Sequence, residues 1–153
     1  MAEFRFRLAS VLRFRERIKQ EKQWELALLN ETQRKLEGEL HDLEHKLGQA
    51  EAMMIGEEGA VYSAIELRLR GDYAHLLVRR IDEKRAALAA LDKELAEKRE
   101  DLVEAMRGVK ILEQLRRRLE EKFWNQLNIA DQKFRDEIGL RKFTEPEKGQ
   151  KLP

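Results

Sequence analysis

From Leu26 to Met54 apolar side chains return at steps of three and four: Leu26, Leu29, Leu36, Leu40, Leu43, Leu47, Ala50 and Met54, with Gln33 the one polar member. A second run with the same spacing passes through Ile81, Lys84, Leu88, Leu91, Leu95, Lys98, Leu102, Ala105, Val109 and Leu112. Such steps hold side chains on one face of a helix, and sustained over heptads they define a coiled-coil seam. Proline interrupts neither run, since Pro146 and Pro153 are the only two in the sequence. A chain built this way is constrained to long helices that bury one stripe each.

The connection is less determined. The glycines of "GEEGA" (56–60) break the first helix. In "SAIE", Ser63 and Glu66 have the spacing of a capping box, and Asp72 after Gly71 has the chemistry of an N-cap. Residues 60–70 are therefore either a separate short helix, our working expectation, or the first turns of the second long one. The expected architecture is all-α: a two-helix antiparallel coiled-coil hairpin over 1–143, the second helix the longer. Helix one covers about 4–54, the connection about 55–71 and helix two about 72–142, with a disordered tail at 144–153. At 1.5 Å per residue the arms are roughly 75 and 105 Å long.

Charge supports the antiparallel pairing. A turn near residue 58 places position i opposite about 116 − i, with Phe4 opposite Leu112, whereas a separate element at 60–70 would slide Phe4 to about residue 123. The early basic stretch (Arg13, Arg15, Arg17, Lys19, Lys22) then faces Asp92, Glu94, Glu97, Glu100 and Asp101. The acidic half (Glu31, Glu37, Glu39, Asp42, Glu44) lies nearer Arg79, Arg80, Lys84 and Arg85. Exposed pairs contribute only tenths of a kcal/mol each, so they choose register more than they stabilise.

Composition narrows the function classes. Charged residues make up 40% of the chain, yet the formal net charge is +1, the balance of a solvated, ion-paired surface and not of a nucleic-acid binder with one dominant sign. Cysteine is absent, which excludes disulfides and thiolate chemistry and suits the cytosol. No apolar run approaches the roughly 20 residues of a membrane span, and the opening residues lack the apolar core of a secretory signal.

One motif points towards catalysis. "HDLEH" (41–45) matches the H-x-x-E-H spacing of a zinc-protease signature. With Leu40 and Leu43 in the seam, however, His41 and His45 fall at solvent-facing b and f positions. A catalytic zinc needs three ligands and a water-excluding pocket. A two-helix hairpin offers no such enclosure, and His75 is set by no motif spacing. Metal, cofactor, catalytic residues and small-molecule substrate are all expected to be absent, and the chain is expected not to be an enzyme.

The second helix is too long for the first. Past the point where helix one begins, Leu115, Leu119, Phe123, Leu127, Ala130, Phe134 and Ile138 continue along one face. A stripe without a partner in its own chain is expected to bury against another molecule, either a second copy or a different protein. Beyond the connection, Tyr73, Leu76 and Leu77 are too closely spaced for one seam to bury, so this region presents apolar surface as well. The N-terminal Phe4, Leu8, Val11, Leu12 and Ile18, among Arg5, Arg7, Arg13, Arg15 and Arg17, read either as the start of a coiled coil with basic flanks or as an amphipathic membrane-surface helix. The arginines are offset by Glu3, Glu16 and Glu21 without aromatic stacking platforms, which argues against nucleic acid.

The two ends carry a resemblance. "FRFRLASVLRFRER", with an F-x-F-x-L-x-x-V-L-x-x-R rhythm, resembles the N-terminus of the FliJ family of flagellar export proteins. "KILEQLRRRLEEKFWNQLNIADQKFRDEIGLRKF" is similar to that family's closing helix, with Glu113, Leu115, Asp136 and Glu137 at its recurring places. The resemblance implies a cytoplasmic component of the flagellar type III export apparatus, peripheral to the inner membrane through its partners. Like the stalk subunit of rotary ATP synthases, it would engage a hexameric export ATPase, contact the membrane export gate and help cycle substrate chaperones. The implied ATPase-facing residues are Phe4, Phe6, Leu8, Val11, Leu12, Arg15, Leu115, Leu119, Phe123, Leu127, Phe134, Asp136 and Glu137. The implied gate-facing residues are Leu36, Leu40, Leu43, Leu47, Tyr73 and Leu77, although the four leucines also occupy the predicted seam. The alternative is a structural tether that self-associates through the C-terminal stripe.

Overall fold

The computed structural model describes residues 2–56 and 58–144. Two helices account for most of them: α1 (Ala9–Ile55) and the longer α2 (Ala64–Thr144), paired as an antiparallel hairpin. The chain divides into two compact units, one of Arg17–Met106 and one of Met1–Glu16 with Arg107–Pro153. The tail expected to be disordered lies outside the described residues from 145 onward, while Thr144 still belongs to α2.

In the Arg17–Met106 unit the heptad pattern becomes the interface. Leu77, Ile81, Leu91 and Leu95 of α2 are buried, and Leu26, Leu29, Leu36, Leu40, Leu43 and Leu47 of α1 are half-buried around them. Polar seam residues reach outward to acids beside the seam, keeping their methylene stems in it. The Lys98 ammonium bonds Glu25 at 3.0 Å, Lys84 bonds Glu39, and the Gln33 amide donates to Asp92 at 3.0 Å. The residue numbers of the Glu25–Lys98, Glu39–Lys84 and Met53–Arg70 pairs each add to 123. The register is therefore 123 − i, between the 116 − i of a turn centred near residue 58 and the slide of Phe4 to about residue 123 that a separate connecting element would give. Of the two charge blocks, the acidic one pairs as expected, through Glu39–Lys84 and Glu44–Arg85. In the other block Lys22 turns to Glu25 of its own helix.

The connection explains the shifted register. Gly56 adopts φ +71 just after Ile55, the left-handed geometry that ends helices. A Cβ there would lie 2.7 Å from the Tyr62 ring. Arg70 closes the turn: its guanidinium donates to the Met53 carbonyl at 2.7 Å and lies 4.1 Å from the Tyr62 ring centroid. The capping box forms reciprocally, with Ser63 N–H donating to Glu66 Oε2 and Glu66 N–H to Ser63 Oγ, both at 3.1 Å. Residues 64–70 are consequently the first turns of α2 and not a separate short helix, and Asp72 is interior to α2 instead of capping it. An interior glycine such as Gly71 costs about 1 kcal/mol against alanine. The seam nevertheless continues through Arg70, Ala74 and Leu77 on either side of it, all at least half-buried.

In the other unit, α1 starts at Ala9 and not near residue 4. The segment before it alternates: Phe4 and Phe6 are half-buried while Arg5 and Arg7 are exposed. A period of two is that of extended backbone, which the F-x-F rhythm specifies more directly than a helix. An extended residue advances about 3.3 Å against 1.5 Å in a helix, so a few residues reach far along α2. Leu12, Val109 and Leu112 form the buried cluster of this unit, with Phe6 packed against it.

Candidate partner-binding surfaces

The residues expected to meet partners separate into buried and open sets. Phe4 stacks on Phe123 with ring centroids 5.7 Å apart at 52°, and Phe123 meets the edge of Trp124 at 5.4 Å. Phe6 and Leu12 belong to the internal cluster, and Leu127 is half-buried. The Arg15 guanidinium lies over α2, donating to the Gly108 carbonyl at 3.3 Å. These side chains hold Met1–Glu16 against α2 and offer a partner little apolar surface. Leu8, Val11, Leu115, Leu119, Phe134, Asp136 and Glu137 are exposed.

Every residue of α2 from Asn128 to Thr144 is exposed, including Ile129, Phe134, Ile138, Leu140 and Phe143. The predicted overhang is therefore a helix that no other described residue covers. Its reach was legible in the apolar step. The exposure of Trp124 and Ile129 was not, because both lie beside the stripe and carry no periodic signal.

In the other unit, Leu36, Leu40, Leu43 and Leu47 form one wall of the seam, and Leu77, 1% exposed, is fully inside it. Leu77 has no surface to give a partner unless the hairpin opens. Tyr73 differs: it stands about half exposed in a second stripe, Ile65, Leu69, Tyr73 and Leu76, all of them exposed. Steps of four, four and three place these four side chains together, on a line centred roughly a third of a turn from the seam. Assigning 60–70 to a short helix of its own hid this stripe, since its first two members then stood on a different helix from Tyr73 and Leu76.

His41, His45 and His75 are exposed, and among the described residues no group of three or more His, Cys, Asp or Glu is placed to hold a metal ion. An open depression of about 590 Å³ beside the turn is lined by Gln49, Ala52, Met53, Gly56, Tyr62 and Arg70, but Arg70 is already committed to Met53 and Tyr62. No helix among the described residues is long and apolar enough to cross a membrane.

Together these features describe an antiparallel coiled-coil hairpin that carries exposed apolar stripes. Comparison with protein families narrows the class. The flagellar FliJ protein family model matches residues 4–148, and the chain belongs to that family, a component of the flagellar export apparatus. Neither the curated proteins nor the solved structures contain a match to it.

Proposed function

We propose that this chain is a non-catalytic adaptor of the flagellar type III export apparatus, working at the cytoplasmic face of the inner membrane. Its terminal unit binds the hexameric export ATPase as a stalk and stimulates hydrolysis. Its other unit contacts the membrane export gate, and the adaptor helps cycle substrate chaperones. The observation that carries this reading is the solvent-exposed helix from Asn128 to Thr144, with apolar residues and no partner among the described residues. Family membership supplies the apparatus in which that partner is sought. For the gate contact, Tyr73 and its neighbours Ile65, Leu69 and Leu76 supply the free apolar surface, while Leu77 and the four α1 leucines hold the seam that presents it.

The test is a titration of the full chain into the export ATPase of the same organism, following phosphate release. Stimulation saturating near one chain per ATPase hexamer is expected. A chain ending at Asn128 keeps the Phe4–Phe123 contact and should remain helical by circular dichroism while losing the stimulation. Undiminished stimulation by the shortened chain would remove the overhang from the mechanism. A stable dimer in sedimentation, dissolved by the same truncation, would favour the self-associating tether.

A further inference from the structure

The formal charge of +1 conceals a division. Met1–Glu16 with Arg107–Pro153 carries 16 Lys and Arg against 10 Asp and Glu, a surplus of +6. Arg17–Met106 carries 15 against 20, a deficit of −5. Two units of one chain thus present opposite signs, which whole-chain composition averages away.

The arrangement of the surplus indicates what it fits. Arg116, Arg117 and Arg118 are consecutive in α2 and all exposed. Consecutive helical residues point about 100° apart, so the three arginines cover more than half the circumference. Lys122 adds to the line of Arg118, one turn on, and Arg135 falls on the line of Arg117, five turns on. A flat anionic surface would touch one of these lines and leave the others in water. A concave surface closing around the helix reaches them all. The exposed apolar residues Trp124, Ile129 and Phe134 likewise sit on different sides of α2 and require the same enclosure to be buried.

We infer that the terminal unit docks in a concave, acidic protein surface enclosing α2 from about Arg116 to Arg135, and that charge selects this unit over the acidic remainder of the chain. The inference rests on the stalk reading above and supplies the chemistry of its socket. The Debye length at physiological salt is about 8 Å, so a surplus of this size steers encounter and is weakened as salt rises. Arg117 is held partly by Glu121 at 3.2 Å, but its side chain is largely exposed and that i, i+4 pair is easily exchanged for a partner's carboxylate.

The test measures association of the labelled full chain with the export ATPase hexamer at about 50 and about 300 mM NaCl, salt levels on either side of the physiological screening length. Wild-type binding should weaken about tenfold across that range. R116E/R117E/R118E should slow association by about 10- to 100-fold, and R116Q/R117Q/R118Q, which keeps good helix formers, by a smaller factor in the same direction. R79E/R80E, in the acidic unit, should bind like wild type. Tight binding indifferent to salt and to both triple variants would overturn the electrostatic socket while leaving the stalk reading intact. Failure of the wild type to bind at either salt would overturn both. Binding of comparable strength to phosphatidylglycerol vesicles or duplex DNA through the same arginines, or a dimer that R116E/R117E/R118E dissolves, would replace the acidic protein with a different occupant.

Discussion

Residues 81–112 and 115–138 of α2 are written in the same apolar step, yet they end in opposite environments. In the first stretch Ile81, Leu91, Leu95, Val109 and Leu112 are buried; in the second Leu115, Leu119, Phe134 and Ile138 are exposed, with Phe123 and Leu127 half-buried between them. Nothing within α2 makes the difference. Periodicity specifies a face, and burial of that face depends on whether another element lies alongside it. The N-terminal segment reaches Phe123 only by becoming extended, and α2 runs on for another five turns or so beyond that contact. The two stretches should therefore respond to the same substitution in opposite ways: one through stability, the other through binding.

The largest expected effect tests this directly. Leu95, 1% exposed, lies in the seam of the Arg17–Met106 unit. Leu95→Ala leaves a cavity there, and large-to-small changes at buried sites cost about 2–5 kcal/mol. Phe134, 63% exposed, has almost nothing to lose on folding, so Phe134→Ala should change stability by less than about 0.5 kcal/mol. Thermal unfolding separates the two. ATPase stimulation should reverse their order, Phe134→Ala impairing it at temperatures where Leu95→Ala is still folded. Equal destabilisation by both would mean that the overhang is covered in solution.

Much of the hairpin was legible because coiled-coil seams are local patterns, readable residue by residue. All ten predicted α2 seam members, Lys84 and Lys98 included, are buried or half-buried. The features that escaped depend on competition. Two helix-start signals stood nine residues apart, at Ser63 and Asp72. The capping box won because it satisfies two orphan N–H groups at once and the seam runs without a stutter through Gly71. Register followed from that choice. The surfaces were the least legible part. Leu77 and Tyr73 look alike as apolar letters, but one lies in the seam and the other about a fifth of a turn from its centre, a distinction that exists only once the register is set. The charge division escaped because it depends on which segments fold together, with Met1–Glu16 joining Arg107–Pro153 from the far end of the sequence.

The Phe4–Phe123 contact marks where the paired stretch of α2 gives way to the open one, and its removal should move that boundary. Either Phe4→Ala or Phe123→Ala loses the tilted ring pair, worth about 0.5–1.5 kcal/mol beyond the area it buries. A double-mutant cycle should return a coupling in that range, since each single change already abolishes the contact. Amide exchange should rise at Phe4–Leu8 in every variant and leave residues 77–95 as slow as in the wild type. A coupling near zero would mean that the segment is held by Phe6 on the Leu12–Val109–Leu112 cluster alone.

The smallest expected effect concerns how the register of the paired stretch is held. Hydrogen bonding from Lys98, then the charges of Lys22 and Lys98, keep the Glu25 carboxyl below its ordinary value. The bond to Glu25 and its charge, aided by Asp101 and Glu94, hold the Lys98 ammonium above its own. An acid whose folded value is lowered contributes stability that is present above its unfolded value and fades as pH falls through the lowered one. A lysine whose folded value is raised contributes below its unfolded value and fades as pH rises through the raised one. The Glu25–Lys98 coupling, measured in a cycle of Glu25→Gln and Lys98→Met, should therefore be flat through neutral pH, falling on the acid side as Glu25 protonates and on the alkaline side as Lys98 loses its proton. Both groups are solvent-accessible, so the coupling should be small and should shrink with added salt. Its use to the fold is selective. Slipping the register by one heptad would set Glu25 opposite Leu91 or Ala105 instead of Lys98, and the same slip would strand Glu39 from Lys84, two heptads away on both helices. Wild type and the double variant should then differ little in melting temperature but clearly in register, read by cross-linking cysteines introduced at positions 43 and 81. A single cross-linked register in both would show that the leucines set it unaided.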